Sequence, residues 1–494
     1  MGESAGSRAG AANERGVERS EAEAIYAQGR EPVVEVLLAL AARVEAQDAQ
    51  LAKLAERVGE LEQRLKRDSH NSSLPPSQDP PWAAKRGRSR GTGRKRGGQP
   101  GHVGHGRSLF PVERVSEVVE HWPQRCSCGH VFGADEQGPS GAPARHQVAE
   151  LPPLAVEISE HRLQRLCCPD CGRTVRAELP AGVPRGCFGP KLEAAIAALT
   201  VRNRLSRRQL VELLDELFGC PIATGTIDAI LSRTGETLEP VYEALLEQTR
   251  AAGALNIDET GWYLAGELRT LWGAFGKRTA VLRIAPSRGK EHLHALLGDQ
   301  FAGIVGSDRF VSYNSLDPAR RQVCWSHLRR DFTFHADLGL GPQEAFGLDG
   351  LEITWYVFQA WKQFQEDGDR AALQERVEAI KGEMHRLLER GSKGKRQRLT
   401  RGLANNLLKL WPALWTFAAI PEVEPTNNAA ERGLRAAVIY RKLSFGSQSE
   451  GGQRTIERLL SVDQTCRLQR RSLYAYLSDA LTAKARGDPI PTLA

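Results

Sequence analysis

The sequence predicts a multidomain protein: an N-terminal coiled coil, a small cysteine-bearing module, and an α/β core interrupted by an α-helical insertion. Three observations carry this. A heptad repeat runs from residue 31 to 67, five cysteines crowd into residues 126–171, and from about Ala254 the apolar period switches to two. At 494 residues the chain is too long for one ordinary core, because single hydrophobic cores stop growing near ~250–300 residues.

Residues 1–30 mix Glu and Arg, carry no apolar leader-like run, and are expected to be disordered. In residues 31–67, Leu37, Val44, Leu51, Val58 and Leu65 fall at one core position of a heptad, with Leu40, Gln47, Leu54 and Leu61 at the other. Charged residues flank them, which predicts a leucine-zipper-like coiled coil and hence a homo-oligomer. The alternative is a single amphipathic helix packed on its own domain. The sequence contains no run of about 18 apolar residues, so no membrane span is expected and the protein is read as soluble and cytoplasmic.

Residues 68–110 are rich in Asn, Ser, Pro, Gly and Arg and lack the apolar side chains to build a core. Lys85, Arg86, Arg88, Arg90, Arg94, Lys95, Arg96 and Arg107 stand there without one acidic residue between Trp82 and Arg107. Such density suits a polyanion, since each neutralised phosphate releases condensed counterions. Nucleic acid is the first candidate, with Lys85, Arg86, Arg88, Arg94, Lys95 and Arg96 as contacts; a merely solvated linker is the alternative.

Residues 111–185 hold the clustered cysteines and alternating stretches such as AVEISEHRLQRL that read as strands. Cys168-Pro-Asp-Cys171-Gly has the spacing that lets two thiolates reach one tetrahedral ion, with Gly permitting the turn. Cys126-Ser-Cys128-Gly has one intervening residue rather than two, leaving His121, His130 or Cys167 open as a ligand. The expectation is a zinc-binding module closed by Cys126, Cys128, Cys168 and Cys171, against unligated buried thiols.

Residues 186–250 read as helical. LSRRQLVELLDELFGCPIATGTIDAILSRTG gives two short helices about a Gly-containing turn, with Ser206 and Thr224 as N-caps. This pattern suits a helix-turn-helix whose second helix, near Thr226 to Arg233, enters a major groove, or equally an ordinary helical hairpin.

Residues 251–331 alternate as ALNIDETGWYL, LRTLWGAFG and AVLRIAP, then a helix-like GKEHLHALLG, then a strand-like AGIVGSD. Three strands, a helix and a further strand describe the first part of a ribonuclease H-like α/β core. Asp258 lies on the first strand and Asp308 at the end of the fourth, neighbours in that order. Two carboxylates held together repel unless cations sit between them, and hard oxygen ligands suit Mg²⁺ or Mn²⁺. Glu431, opening a helix in EPTNNAAERGLRAAVIYRKLSFGSQSEGG, is the third candidate. Bland roles compete: a turn for Asp258, a cap for Asp308, and for Glu431 the capping-box spacing of Asn428-Ala-Ala-Glu431. Residues 332–425 are strongly helical and form the insertion, residues 426–480 the last part of the core, and residues 481–494 a C-terminal tail.

NSSLPPSQDPP with RKRGGQPGHVGHGR, the paired cysteines, NIDETGW, SDRFVSYN, CWSHLRRDF and NNAAERGLRAAVIYRKLSFGSQSEGG together resemble transposases of the insertion sequence 66 family. The resemblance implies a ribonuclease H-like catalytic core of DDE type, with Asp258, Asp308 and Glu431 as catalytic metal ligands, and a structural zinc module before it. It also implies double-stranded DNA as partner, at element ends and target, a nucleoid-associated location, and small accessory proteins of the same element. Cys324-Trp-Ser-His327 looks like the Cys-x-x-His element of several such enzymes, with His327 a DNA contact or a structural residue of the last core strand. Arg432, Arg435, Arg441 and Lys442 would hold phosphates. The shortened Cys126-x-Cys128 knuckle departs from the family pattern. A non-catalytic zinc-containing repressor and a ribonuclease H-like structure-specific nuclease are the rival readings.

Overall fold

The computed structural model describes residues 19–65, 67–72, 79, 108–136, 138, 140–184, 186–339, 341–394 and 397–493. The basic residues Lys85, Arg86, Arg88, Arg94, Lys95 and Arg96 lie outside them. The chain divides into two units, one drawn from residues 1–83, 327–359 and 380–405, the other from 84–326, 360–379 and 406–494.

The N-terminal part gives helices α1 (Arg19–Ala27) and α2 (Arg30–Leu65). Helix α1 falls within the segment expected to be disordered; an Arg19–Glu23 pair one turn apart, at 3.0 Å, supports it. Helix α2 leaves its heptad side chains exposed, Leu37, Leu51 and Leu54 at about 60% each. Helices α8 (Trp325–Asp337), α9 (Pro342–Asp367), α10 (Arg370–Ser392), α11 (Arg398–Lys409) and α12 (Thr416–Ala419) follow the core strands, as the helical pattern anticipates. In the first unit Phe332 meets Phe346 with ring centroids 5.7 Å apart, and Gly350 gives the Phe332 ring its room.

The cysteine module is built of two turns. Strands β1 (Arg165–Cys167) and β2 (Thr174–Arg176) form a hairpin. Of the alternating stretch from Ala155 to Leu166, only the last residues pair. Alternation alone makes no strand without a partner ladder, and β2 supplies just three residues.

Helices α3 (Pro190–Val201), α4 (Arg207–Phe218), α5 (Thr224–Thr237) and α6 (Glu239–Arg250) precede the sheet. Ser206 caps α4 through a reciprocal box with Gln209, as its position predicts. Thr224 instead opens α5, whose cap is Ala223 with no side-chain bond. One face of α5 is core: Ile227, Ile230 and Leu231 are buried, and Gly235 lets Thr455 approach closely. Its outer face carries Asp228 and Arg233, engaged by Arg207 at 2.8 Å and Glu193 at 2.6 Å respectively.

The sheet contains β3 (Ala254–Leu264), β4 (Glu267–Phe275), β5 (Ala280–Ala285), β6 (Ile304–Ser307) and β7 (Arg321–Val323), with α7 (Lys290–Leu297) between β5 and β6. Its order is β5-β4-β3-β6-β7; β3, β4 and β5 are antiparallel neighbours, and β3, β6 and β7 are parallel ones. Helices α13 (Asn428–Ser444), α14 (Glu450–Leu468) and α15 (Leu473–Arg486) close the fold. Helix α13 lies on β3 and β4, α14 on β5, and α15 on α3.

Edge strands expose unpaired amides, and both edges here are covered. On β5, Ile284 N donates to Glu457 Oε1 at 2.6 Å, Leu282 N to Ser461 Oγ at 2.9 Å and Ala280 N to Thr465 Oγ1 at 3.0 Å. Residues 457, 461 and 465 recur one helical turn apart, so a single face of α14 serves the whole edge. On β7, Thr416 Oγ1 donates to Arg321 O at 2.5 Å, while Gln322 Oε1 accepts from Phe417 N at 2.7 Å. The segment after α15 is held as well: Leu493 is buried and its carbonyl accepts from Gln469 at 2.5 Å.

Burial pushes the Glu457 carboxyl up to about 7. A folded-state value above the unfolded one contributes stability that is complete below the ordinary carboxylate range and lost as pH rises towards 7. Glu457→Gln keeps the acceptor for Ile284 and removes this dependence. Urea unfolding between pH 4.5 and 7.5 should show wild type losing about 3 kcal/mol relative to the variant; parallel curves would remove Glu457 as the source.

Candidate active site

Strand β3 pairs Ala254 with Ile304, Leu255 with Val305 and Asn256 with Gly306. Continued by two residues, this register brings Asp258 level with Asp308, one residue past the end of β6. Gly306 leaves room in it for the Asn256 side chain, since a Cβ there would meet its Oδ1 at 2.7 Å and displace it. Asp258 sits within β3, opposite Gly273 of β4, and is not a turn residue. Asp308 does take a local role: its Oδ1 accepts from Phe310 N at 2.8 Å, which fixes the carboxylate as the chain leaves the strand.

Glu431 lies in the first turn of α13, but the capping box drawn from Asn428 does not form. The N-cap is Asn427, and its side chain makes no capping bond. Asn427 Nδ2 donates instead to Ile257 O at 2.8 Å, and its amide to Cys324 Sγ at 3.2 Å. Asn427 is fully buried. It therefore ties the start of α13 to the residue before Asp258, and Glu431 follows one turn later.

Beside the two aspartates is a carboxylate that the sequence did not single out. Glu259 is buried on the other face of β3; its Oε2 accepts from Tyr313 Oη at 2.5 Å and its Oε1 from Arg288. Burial, then the Asp308 charge, raises its pKa, and Tyr313 and Arg288 work against the rise. The Tyr313 phenol is raised by burial, then by Glu259, Asp258 and Asp308, so all three carboxylates act on one hydroxyl. Buried Arg321 closes the group, donating to Asp308 O at 3.1 Å. Desolvation lowers its pKa to about 10 against the pull of Asp308. Arg288 also covers the Phe310 ring, 4.0 Å from its centroid.

The basic candidates separate. Arg432, Arg435 and Lys442 are exposed on α13. Arg441 turns inward, donating to Thr260 Oγ1 at 3.3 Å and to Gly261 O. His327 is half-buried in the first turn of α8, a helix rather than the last core strand. Cys324 is buried and accepts the Asn427 bond described above.

Among the described residues, no three His, Cys, Asp or Glu side chains gather closely enough to hold a metal ion by themselves. For Mg²⁺ this is no conflict, because that ion is usually held by one or two carboxylates together with substrate phosphates. The hard-oxygen donors Asp258 and Asp308 fit that pattern. A closed zinc site is more demanding, needing four protein ligands. Cys126 and Cys128 are free thiols within hydrogen-bonding reach of each other, as are Cys168 and Cys171, each pair within a turn made by a left-handed glycine, Gly129 or Gly172. Among the described residues the two pairs are not gathered about one point.

The sequence model of the family described as "Transposase IS66 family" matches residues 185–455. The chain belongs to that family. A family of unknown function, DUF6444, matches residues 13–108 of this transposase. Three uncharacterized proteins of Sinorhizobium fredii are similar to it. The protein y4hP is 25% identical over 428 residues, 77% of this chain and 74% of the relative. For y4jD the identity is 22% over 406 residues, 75% and 76% of the two chains; for y4qI it is 24% over 314 residues, 58% and 57%. The matched region of the transposase contains the sheet and all three acidic candidates. No helix among its described residues is long and apolar enough to cross a membrane.

Proposed function

We propose that this transposase cuts DNA at the ends of its element and joins the freed 3′-hydroxyl to target DNA, using Asp258, Asp308 and Glu431. The observation that carries the reading is the β3–β6 register, which sets Asp258 level with Asp308 at the point where Asn427 ties down the helix bearing Glu431. The sheet order β5-β4-β3-β6-β7, with three antiparallel strands followed by two parallel ones, is the order expected of a ribonuclease H-like core. Divalent ions bound by such carboxylates activate an attacking oxygen and stabilise a leaving one in phosphoryl transfer.

The chain's own residues supply the rest. Phe310 N orients Asp308, and the Glu259–Tyr313–Arg288 group holds the loop after β6. Arg432, Arg435 and Lys442 are free to meet phosphates on double-stranded DNA, positioning it without reading bases. The exposed heptad of α2 supports pairing of two copies of the chain.

The test uses full-length protein, a plasmid carrying the element's two ends, Mg²⁺ or Mn²⁺, and the element's companion proteins. Glu431→Gln should retain end binding in a mobility-shift assay and lose strand transfer. Wild-type transfer in that variant would remove Glu431 from the site, and end binding with no metal-dependent cleavage by wild type would favour the repressor reading.

A further inference from the structure

The KLSFG segment ends α13 in an unusual way. Phe445 occupies its C-cap in the left-handed conformation, φ +57°, where glycine is the ordinary choice. Its side chain is nevertheless 78% exposed. The chain thus bears backbone strain to hold a phenyl ring in solvent, with no core contact in return.

The surroundings fix the backbone beside that ring. Ser447 N donates to Tyr263 O at 2.8 Å, and Ala265 N to Ser447 O at 2.8 Å, so the segment runs alongside the end of β3. Ser447 Oγ accepts from buried Trp262 at 3.3 Å. Gly446, φ +96°, lies so close to Tyr263 that a Cβ would strike its carbonyl. Tyr263 is paired directly with Leu268 across the β3–β4 hairpin. Tyr263, Leu268 and Leu443 are all substantially exposed. Arg441 and Lys442 come immediately before this apolar tip, and Arg441 reaches the same face of β3, at Gly261.

We infer that Phe445 is a stacking platform for an unpaired nucleobase of a DNA strand held by the adjacent cationic residues. A rigid, exposed aromatic beside positive charge is how proteins bind unstacked bases without sequence preference, because every base offers a π-face. The inference rests on the DNA reading above and adds to it a place where the duplex is opened.

The probe is a forked duplex carrying 2-aminopurine at the first unpaired position, compared with a fully paired duplex of the same length; both are titrated with full-length protein. Wild type quenches 2-aminopurine on the fork. Phe445→Ala is expected to weaken fork binding about tenfold or more and lose the quenching, with paired-duplex binding unchanged; Phe445→Trp restores both. Phe445→Gly, which relieves the backbone strain, should melt a few degrees higher than wild type while failing on the fork, separating stacking from folding. Equal fork binding by Phe445→Ala overturns the inference. A lower oligomer mass for that variant in light scattering, with fork binding unchanged, assigns the patch to contact between copies instead. Loss of affinity for both DNAs alike overturns stacking but leaves DNA binding standing, and failure of wild type to bind either DNA brings down the DNA reading itself.

Discussion

Asp258→Asn and Asp308→Asn should each reduce cleavage of element ends by roughly a thousandfold or more, the several kcal/mol that metal-assisted phosphoryl transfer draws from its ligands. The β3–β6 register, continued by two residues, sets the two aspartates level, and each substitution removes a negative charge with little change of shape. End binding should persist, because the exposed cations of α13 are untouched. Gel analysis of nicked and joined products at several Mn²⁺ concentrations checks this. If one variant retains wild-type cleavage, the register pair is not the catalytic pair.

The second large effect comes from a residue with no chemistry. Gly433 lies two positions after Glu431, on the side of α13 that meets the sheet, and a Cβ there would run into the Phe275 ring. Phe275 is buried and cannot yield. Gly433→Val should therefore cost about 1–3 kcal/mol as overpacking, and the helix can relieve the clash only by moving off β4. Since a misplacement of about 1 Å can cost ~100-fold in rate, strand transfer should fall by about that factor in protein that still folds. Thermal melting measures the first effect and single-turnover cleavage the second. A folded variant with normal turnover would show that α13 need not lie tight on the sheet for Glu431 to act.

Much of the core was legible because its signals are local. The period-two runs from Ala254 to Phe275 and the apolar run at Ile304 announce strands, and two aspartates, one on the first strand and one at the end of the fourth, suggest a carboxylate pair. The supporting contacts were not legible, because their partners are distant in sequence. Glu259 carries no local signal, and its role emerges only when Arg288 and Tyr313, from separate segments, converge on it. Asn427 was overlooked in favour of Asn428, whose spacing to Glu431 matches a capping box; the helix starts one residue earlier because Asn427 bonds across to β3. In the cysteine module the spacing identified each turn but could not say whether the turns meet.

The covering of β5 by α14 bears on how the enzyme is made. The amides of Ala280, Leu282 and Ile284 find their acceptors on Thr465, Ser461 and Glu457, well over a hundred residues downstream. At about 5–20 residues per second, roughly 10–40 s separate synthesis of Asp258 from completion of α14. Until α14 emerges the nascent chain has an open sheet edge, and α13 with Glu431 joins it only late in that interval. The fold is therefore completed only as its last helices leave the ribosome, and a message truncated just before α14 would yield a fragment that carries all three acidic candidates but leaves the β5 edge open to association.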